Sequence, residues 1–340
     1  MPEAGLLSVL PINEFVFFIN KVVIGGLIIG SVYALGAIGV TLILGILRFA
    51  HFPHGDMMTA GAFFALVCAS LAPHVGDPFG LPSAFVLMPV AMAATAAMAV
   101  WLDKAFYAPL RRANVKPVVM VMSSVGVMLM LQGLIRLFAG TGTRQLDPGP
   151  KDIYRIPAGG RDLIVTQPQL LLFIFTAVAV VALHFFLTRS RMGKAMRAVA
   201  DNAELARVSG ISIDHVVRTT WIIAGALAAA GGTLLALDVT FKADLSFNII
   251  LPVFAAAIVG GVGHPYGAVV GGMLVGFTET LAVFNWSVLL RPLQPYLPEF
   301  VEIPSKIAFV PTEYKIVIPF FILIAVLIWR PTGIFKGRTN

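Results

Sequence analysis

Two short runs, Thr188-Arg189-Ser190-Arg191-Met192-Gly193-Lys194 and Ala200-Asp201-Asn202-Ala203-Glu204-Leu205-Ala206-Arg207-Val208-Ser209-Gly210-Ile211, form a polar interruption in the middle of the chain. Arg189, Arg191, Lys194, Arg197, Arg207 and Arg218 gather here, between two segments almost free of charge. If those flanks cross a membrane, a basic loop of this kind belongs on the cytoplasmic side. There it would meet a soluble partner.

The flanks do read as membrane. Of 340 residues, 58% are hydrophobic and 12% are charged, about half the charged share of an ordinary soluble domain. Mean hydropathy is +0.91. Water would face far too much apolar surface, so the chain is an integral membrane protein. The net charge of +7 is no nucleic-acid signature, because Lys and Arg sit in short loops between apolar runs. Cys68 is the only cysteine, which excludes an intramolecular disulfide. The first residues carry Glu3 and Glu14, with Lys21 as the first basic side chain. Lacking the basic start of a secretory signal, they read as mature chain.

A helix crosses the bilayer core with roughly 20 apolar residues. The candidates are Val22–Leu44, Met57–Ala72, Ser83–Leu102, Val118–Phe138, Gln169–Leu187, Thr219–Leu237, Ile249–Val262, Ala268–Phe284 and Ile316–Trp329. The seventh and eighth are short or glycine-rich and can be read as one broken element. The expected fold is therefore an all-α polytopic bundle of eight or nine transmembrane helices. It forms one domain over 1–340, with broken helices and a possible internal repeat. Asp103–Pro117, Thr188–Arg218 and the tail with Arg330, Lys336 and Arg338 are the basic loops, so the positive-inside rule places them in the cytoplasm. Ala139–Pro168, Asp238–Asn248 and the proline-broken Asn285–Thr312 then lie outside, as does the N-terminus by parity.

In the central loop Asn202 suits an N-cap, Ala203 to Val208 can be helical, and Gly210 is a natural stop. A solvated linker would be the plain reading. Small Ala203 and Ala206 beside apolar Leu205 and Val208 favour a docking helix instead. Pro53 and Gly55 break the chain within Arg48-Phe49-Ala50-His51-Phe52-Pro53-His54-Gly55-Asp56. Such a break either lines a cavity at membrane depth or is a surface turn. His51, His54 and Asp56 are too loosely spaced for a convincing metal site, and Asp56 reads better as a cap for the next span.

The second break contains Gly260, Gly261, Gly263, His264 and Gly267, followed by Gly271, Gly272 and Gly276. It lacks the Gly-Lys-Ser/Thr of a phosphate loop, so no nucleotide binding is expected of this chain; Gly267, Gly271, Gly272 and Gly276 suit close helix packing. Glu279, inside an apolar span, should face the interior as a substrate contact, a proton relay or a bond to a neighbouring helix. Arg136 and His184 are expected to snorkel. Ser123 and Ser124 lack the partners of an enzyme nucleophile.

Gly26–Gly45 with Phe49-Ala50-His51-Phe52-Pro53-His54-Gly55-Asp56 resembles the segment ending in "NFAHGD" of branched-chain amino acid ABC transporter permeases of the LivH type. The Arg191–Gly193 and Ala200–Ile211 runs resemble their cytoplasmic loop. Gly260–Gly272 resembles their late glycine run, with Glu279 shortly after, and Arg330–Ile334 their C-terminal end. Phe52-Pro53 replaces simpler residues of the family, His264 stands in place of a serine, and Arg291–Pro311 is longer than usual.

The resemblance implies a non-enzymatic inner-membrane permease that imports branched-chain or other hydrophobic amino acids. It would act with a second permease, two ATP-binding subunits that carry the ATP, and a periplasmic binding protein. Asn202–Gly210 would be the coupling helix, with Asn202, Ala203, Glu204, Leu205, Ala206, Arg207 and Gly210 as the contact set. His54, Gly55, Asp56, Gly261, Gly263 and Glu279 are the candidates for the pathway or its gate. Urea or short-amide import is an alternative cargo, and ion-coupled transport through Glu279 an alternative class.

Overall fold

The computed structural model describes residues 12–158, 161–297, 302–330 and 332–335. Lys336, Arg338 and Glu3 lie outside the described residues. In lipid, a backbone must satisfy its own hydrogen bonds, and uncharged apolar runs do so as helices. The main helices are α1 (Ile12–Leu47), α2 (His54–Leu71), α3 (Met88–Leu102), α4 (Pro117–Ala139) and α5 (Gln167–Arg189). Then follow α6 (Arg191–Asp201), α7 (Ala203–Val208), α8 (Ile213–Asp238), α9 (Leu245–Gly260), α10 (Pro265–Val283) and α11 (Val317–Trp329). Each of the nine expected spans falls on one of these helices. Among the described residues six are long and apolar enough to cross a membrane. The seventh and eighth spans are two separate elements, α9 and α10. They fold onto one another so closely that a Cβ on Gly271 would lie 2.1 Å from the carbonyl oxygen of Ala256.

α1 and α8 are mostly buried, whereas α4 and α5 are mostly exposed and form the rim. The most extensive crossing joins α1 to α10. A Cβ on Gly276 would lie 2.4 Å from the backbone nitrogen of Gly30, and one on Gly272 would strike Ala34 at 2.6 Å. Without a hydrophobic force between helices in lipid, such backbone-to-backbone approach is the main source of packing energy. The late glycines are packing residues, as their spacing suggests.

The two ends of the bundle differ. At one end lie the C-terminus of α1, both breaks, α6 and α7. Residues 103–107 join them through Tyr107, whose ring is 5.0 Å from Phe49. The final segment joins through Ile334 N–H to the carbonyl of Val259 and Phe335 N–H to that of Gly260. The basic segments at 103–117 and 188–218 and the described part of the tail therefore share one end. The other end holds the start of α1, the loop after α10, and, within a segment whose sequence predicts only a loop, a hairpin: β1 (Ile153–Pro157) antiparallel to β2 (Asp162–Thr166). Asn20 supplies what a further strand would. Its Nδ2 donates to Asp162 O and its Oδ1 accepts from Ile164 N–H, both at 3.0 Å.

Candidate functional site

The polar segment builds two capped helices. Ser190 Oγ accepts the Gly193 N–H at 2.8 Å to start α6, and Gly193 itself is pressed against the backbone of Phe186 and Leu187 in α5. Met196 and Val199 anchor α6 to the bundle. Asn202 Oδ1 accepts from Glu204 N–H at 3.1 Å and Leu205 N–H at 3.0 Å, which starts α7. Gly210, at φ 83°, takes the left-handed conformation that ends it. Six residues would not hold a helix alone in water; the cap and the burial of Ala206 do. Ala206 is 4% exposed and faces inward, so it is removed from the expected contact set: a side chain that packs on its own bundle cannot meet a partner. Leu205 and Val208, at 64% and 86% exposed, form the outer face together with Glu204 and Arg207. Ala203 is half-buried beside them.

The first break turns back into the bundle. Arg48 takes a left-handed conformation, Phe52 N–H donates to Ser124 Oγ at 2.8 Å, and α2 begins after Pro53. His54 sits against Gly39, where a Cβ would touch its ring, roughly two turns inside the end of α1. Gly55 is pressed against Ile250 and the Ser246 carbonyl of α9. Asp56 is buried and faces Ser246, Gln132 and Arg136. It does not cap α2, as its sequence position suggested: Pro53 occupies the N-cap and no side chain bonds there. Arg136 is exposed near the end of α4.

His51 is fully buried beside Trp221 at 4.8 Å, and Tyr107 stacks on the same indole with ring planes 4° apart. Among the described residues no three His, Cys, Asp or Glu side chains gather as metal ligands. Neither Ser124, Tyr107 nor Trp221 carries a local sequence signal for this role.

Gly261, at φ 112°, adopts a backbone that a side chain would strain, and the Phe335 carbonyl fills the space beside it. Gly263 meets Gly45, so the second break touches the end of α1 just ahead of the first break. At the far end, Glu279 accepts a hydrogen bond from Tyr33 Oη at 2.8 Å and an ion pair from Lys315 Nζ at 3.3 Å. It is 3% exposed, at the edge of a cavity of about 380 Å³ that also includes Lys21, Phe17 and Thr312. Of the three roles its sequence position allowed, the geometry shows a bond between helices. The loop after α10 is tied down by Asn285 Oδ1, which accepts from Ile307 N–H at 2.9 Å, and by Val310 N–H on the Ala282 carbonyl. His184 does not only snorkel; its Nδ1 lies 2.9 Å from Tyr266 Oη and links α5 to α10.

A bundle of apolar helices broken at buried polar segments, with its basic loops at one end, defines a polytopic helical membrane protein. Residues 22–327 match the family described as the permease component of branched-chain amino acid transport systems, and the chain belongs to that family. It is 29% identical over 323 residues to BraD, a high-affinity branched-chain amino acid transport system permease protein of Pseudomonas aeruginosa, covering 93% of this chain and 94% of that one. It is also 29% identical over 331 residues to LivH of Escherichia coli K12, covering 96% and 97%. A probable LivH of Methanocaldococcus jannaschii is 26% identical over 263 residues, covering 76% and 80%. No solved structure matches the chain.

Proposed function

We propose that this chain is a translocation subunit of an inner-membrane ABC importer for branched-chain or other hydrophobic amino acids. It binds no cofactor itself: ATP is held by two partner subunits, with a second permease and a periplasmic binding protein completing the system. The observation that carries the reading is α7, a capped helix that turns Leu205 and Val208 to the outside at the end where the basic segments meet. An apolar pair flanked by Glu204 and Arg207 suits docking into a soluble ATPase, and its basic surroundings support a cytoplasmic position. ATPase closure would move α7 and, through α6, the ends of α1 and α10 beside the two breaks. Ion-coupled transport fits less well, because Tyr33 and Lys315 already occupy Glu279.

The test is substrate-stimulated ATP hydrolysis by the reconstituted transporter. Glu204→Arg and Leu205→Asp should each abolish the stimulation while leaving membrane insertion intact. Full stimulation in both variants overturns the assignment of α7.

A further inference from the structure

Another cavity, of about 670 Å³, lies where the start of α1 meets the β1–β2 hairpin and the first turn of α5. Each of the first two elements offers it one face. On α1 the wall is Phe17, Lys21, Ile24 and Ile28, and steps of three or four residues make one stripe along a helix. On β2 it is Asp162, Ile164 and Thr166, alternate residues that share one side of a strand, with Arg155 paired opposite Ile164. Asn20 holds the two faces together through its bonds to the backbone of Asp162 and Ile164.

The wall is graded. Lys21, Arg155 and Arg161 are exposed and line the part beside the hairpin. Ile24 and Ile28 carry the stripe on into the span, Ile28 about 10 Å beyond Lys21 along the helix axis. Three cations face one acid, Asp162, and among the described residues none of the three forms an ion pair. Arg161 is held from two sides. Its backbone N–H donates to Asn13 Oδ1 at 2.7 Å, and its guanidinium stands 5.6 Å from the centre of the Phe17 ring.

We propose that this cavity holds an anionic phospholipid, its phosphate on Arg155, Arg161 and Lys21 and the start of its acyl chains against Ile24 and Ile28. A guanidinium fork matches two phosphate oxygens, and a basic pocket beside membrane helices suits a lipid headgroup. A free phosphate would meet only the charged part and leave the apolar stripe unused. A zwitterionic lipid would bring an ammonium group to a wall that already carries excess positive charge. The bound lipid would tie the hairpin to α1 through its headgroup. The site does not depend on the importer reading, and its test needs no transport.

The measurement is equilibrium binding of phosphatidylglycerol to the full chain in detergent micelles, followed by native mass spectrometry. Phosphatidylcholine with the same acyl chains is the zwitterionic comparison, and glycerol 3-phosphate is the competitor without chains. Phosphatidylglycerol should bind at least about tenfold more tightly than phosphatidylcholine. Arg155→Gln combined with Arg161→Gln, both at exposed positions, should weaken phosphatidylglycerol about tenfold and leave phosphatidylcholine unchanged. Lys306→Gln, which removes an exposed cation from the loop after α10, should change neither. Equal affinity for the two lipids, or a double variant that binds phosphatidylglycerol as the parent does, overturns the proposal. So does an equal loss in Lys306→Gln, which would mean a diffuse basic surface. Displacement of the lipid by equimolar glycerol 3-phosphate would assign the wall to a free phosphate, and likewise overturn it.

Discussion

At Glu279, a carboxylate in an apolar span is kept by two partners from opposite parts of the chain. Tyr33 comes from α1 and Lys315 from the approach to α11. Removing a partner of a buried charge costs more than the bond itself contributed, because the charge then lies in a poor medium without compensation. Tyr33→Phe should lower stability by about 1–2 kcal/mol. Lys315→Met should be worse, and Glu279→Gln added to it should recover most of the loss, since a neutral amide needs no cation. Equilibrium unfolding in mixed micelles measures all three; a double variant no better than Lys315→Met alone would show that the pair is not the cause. The sequence marked Glu279 as an interior group but could not name its partners, which lie far away in the chain. Asp56 shows the opposite case. Its position near Pro53 and Gly55 suggested a cap, and tertiary packing turned it toward Ser246 and Gln132.

Among the helices, the α1–α10 crossing depends on space and not on chemistry. Gly30, Gly272 and Gly276 let two backbones touch, and any side chain there must push the helices apart. Gly276→Val should therefore prevent accumulation of folded protein in the membrane. Gly126→Val, on the exposed rim where a Cβ meets nothing within 4 Å, should be tolerated. Size-exclusion profiles of the solubilised variants decide it, and a normal profile for Gly276→Val would remove the crossing from its central place. The glycine spacing announced a packing face, and the apolar runs announced the helices. The β1–β2 hairpin was not legible: Ile153–Pro157 is short, and much of what holds β2 is the side chain of Asn20, distant in sequence.

For the molecule as a whole, the two ends of the bundle should face opposite compartments. In a Cys68→Ala background, Val208→Cys and Thr312→Cys should react with a membrane-impermeant maleimide from opposite sides of oriented vesicles, Val208→Cys from the cytoplasmic side. Labelling of both from one side would contradict the arrangement. Composition and hydrophobic run length determined by themselves that this is a polytopic helical membrane protein, because lipid leaves a long uncharged backbone no other way to satisfy itself. Capping chemistry likewise determined α7, since Asn202 and Gly210 act within a few residues of one another. Only the tertiary structure decided that Ala206 faces inward while Leu205 and Val208 face out, and that the second break meets the end of α1 at Gly45 and Gly263. Those facts depend on which helix lies beside which. In lipid that is settled by close-contact fit between distant segments, which no local window of sequence contains.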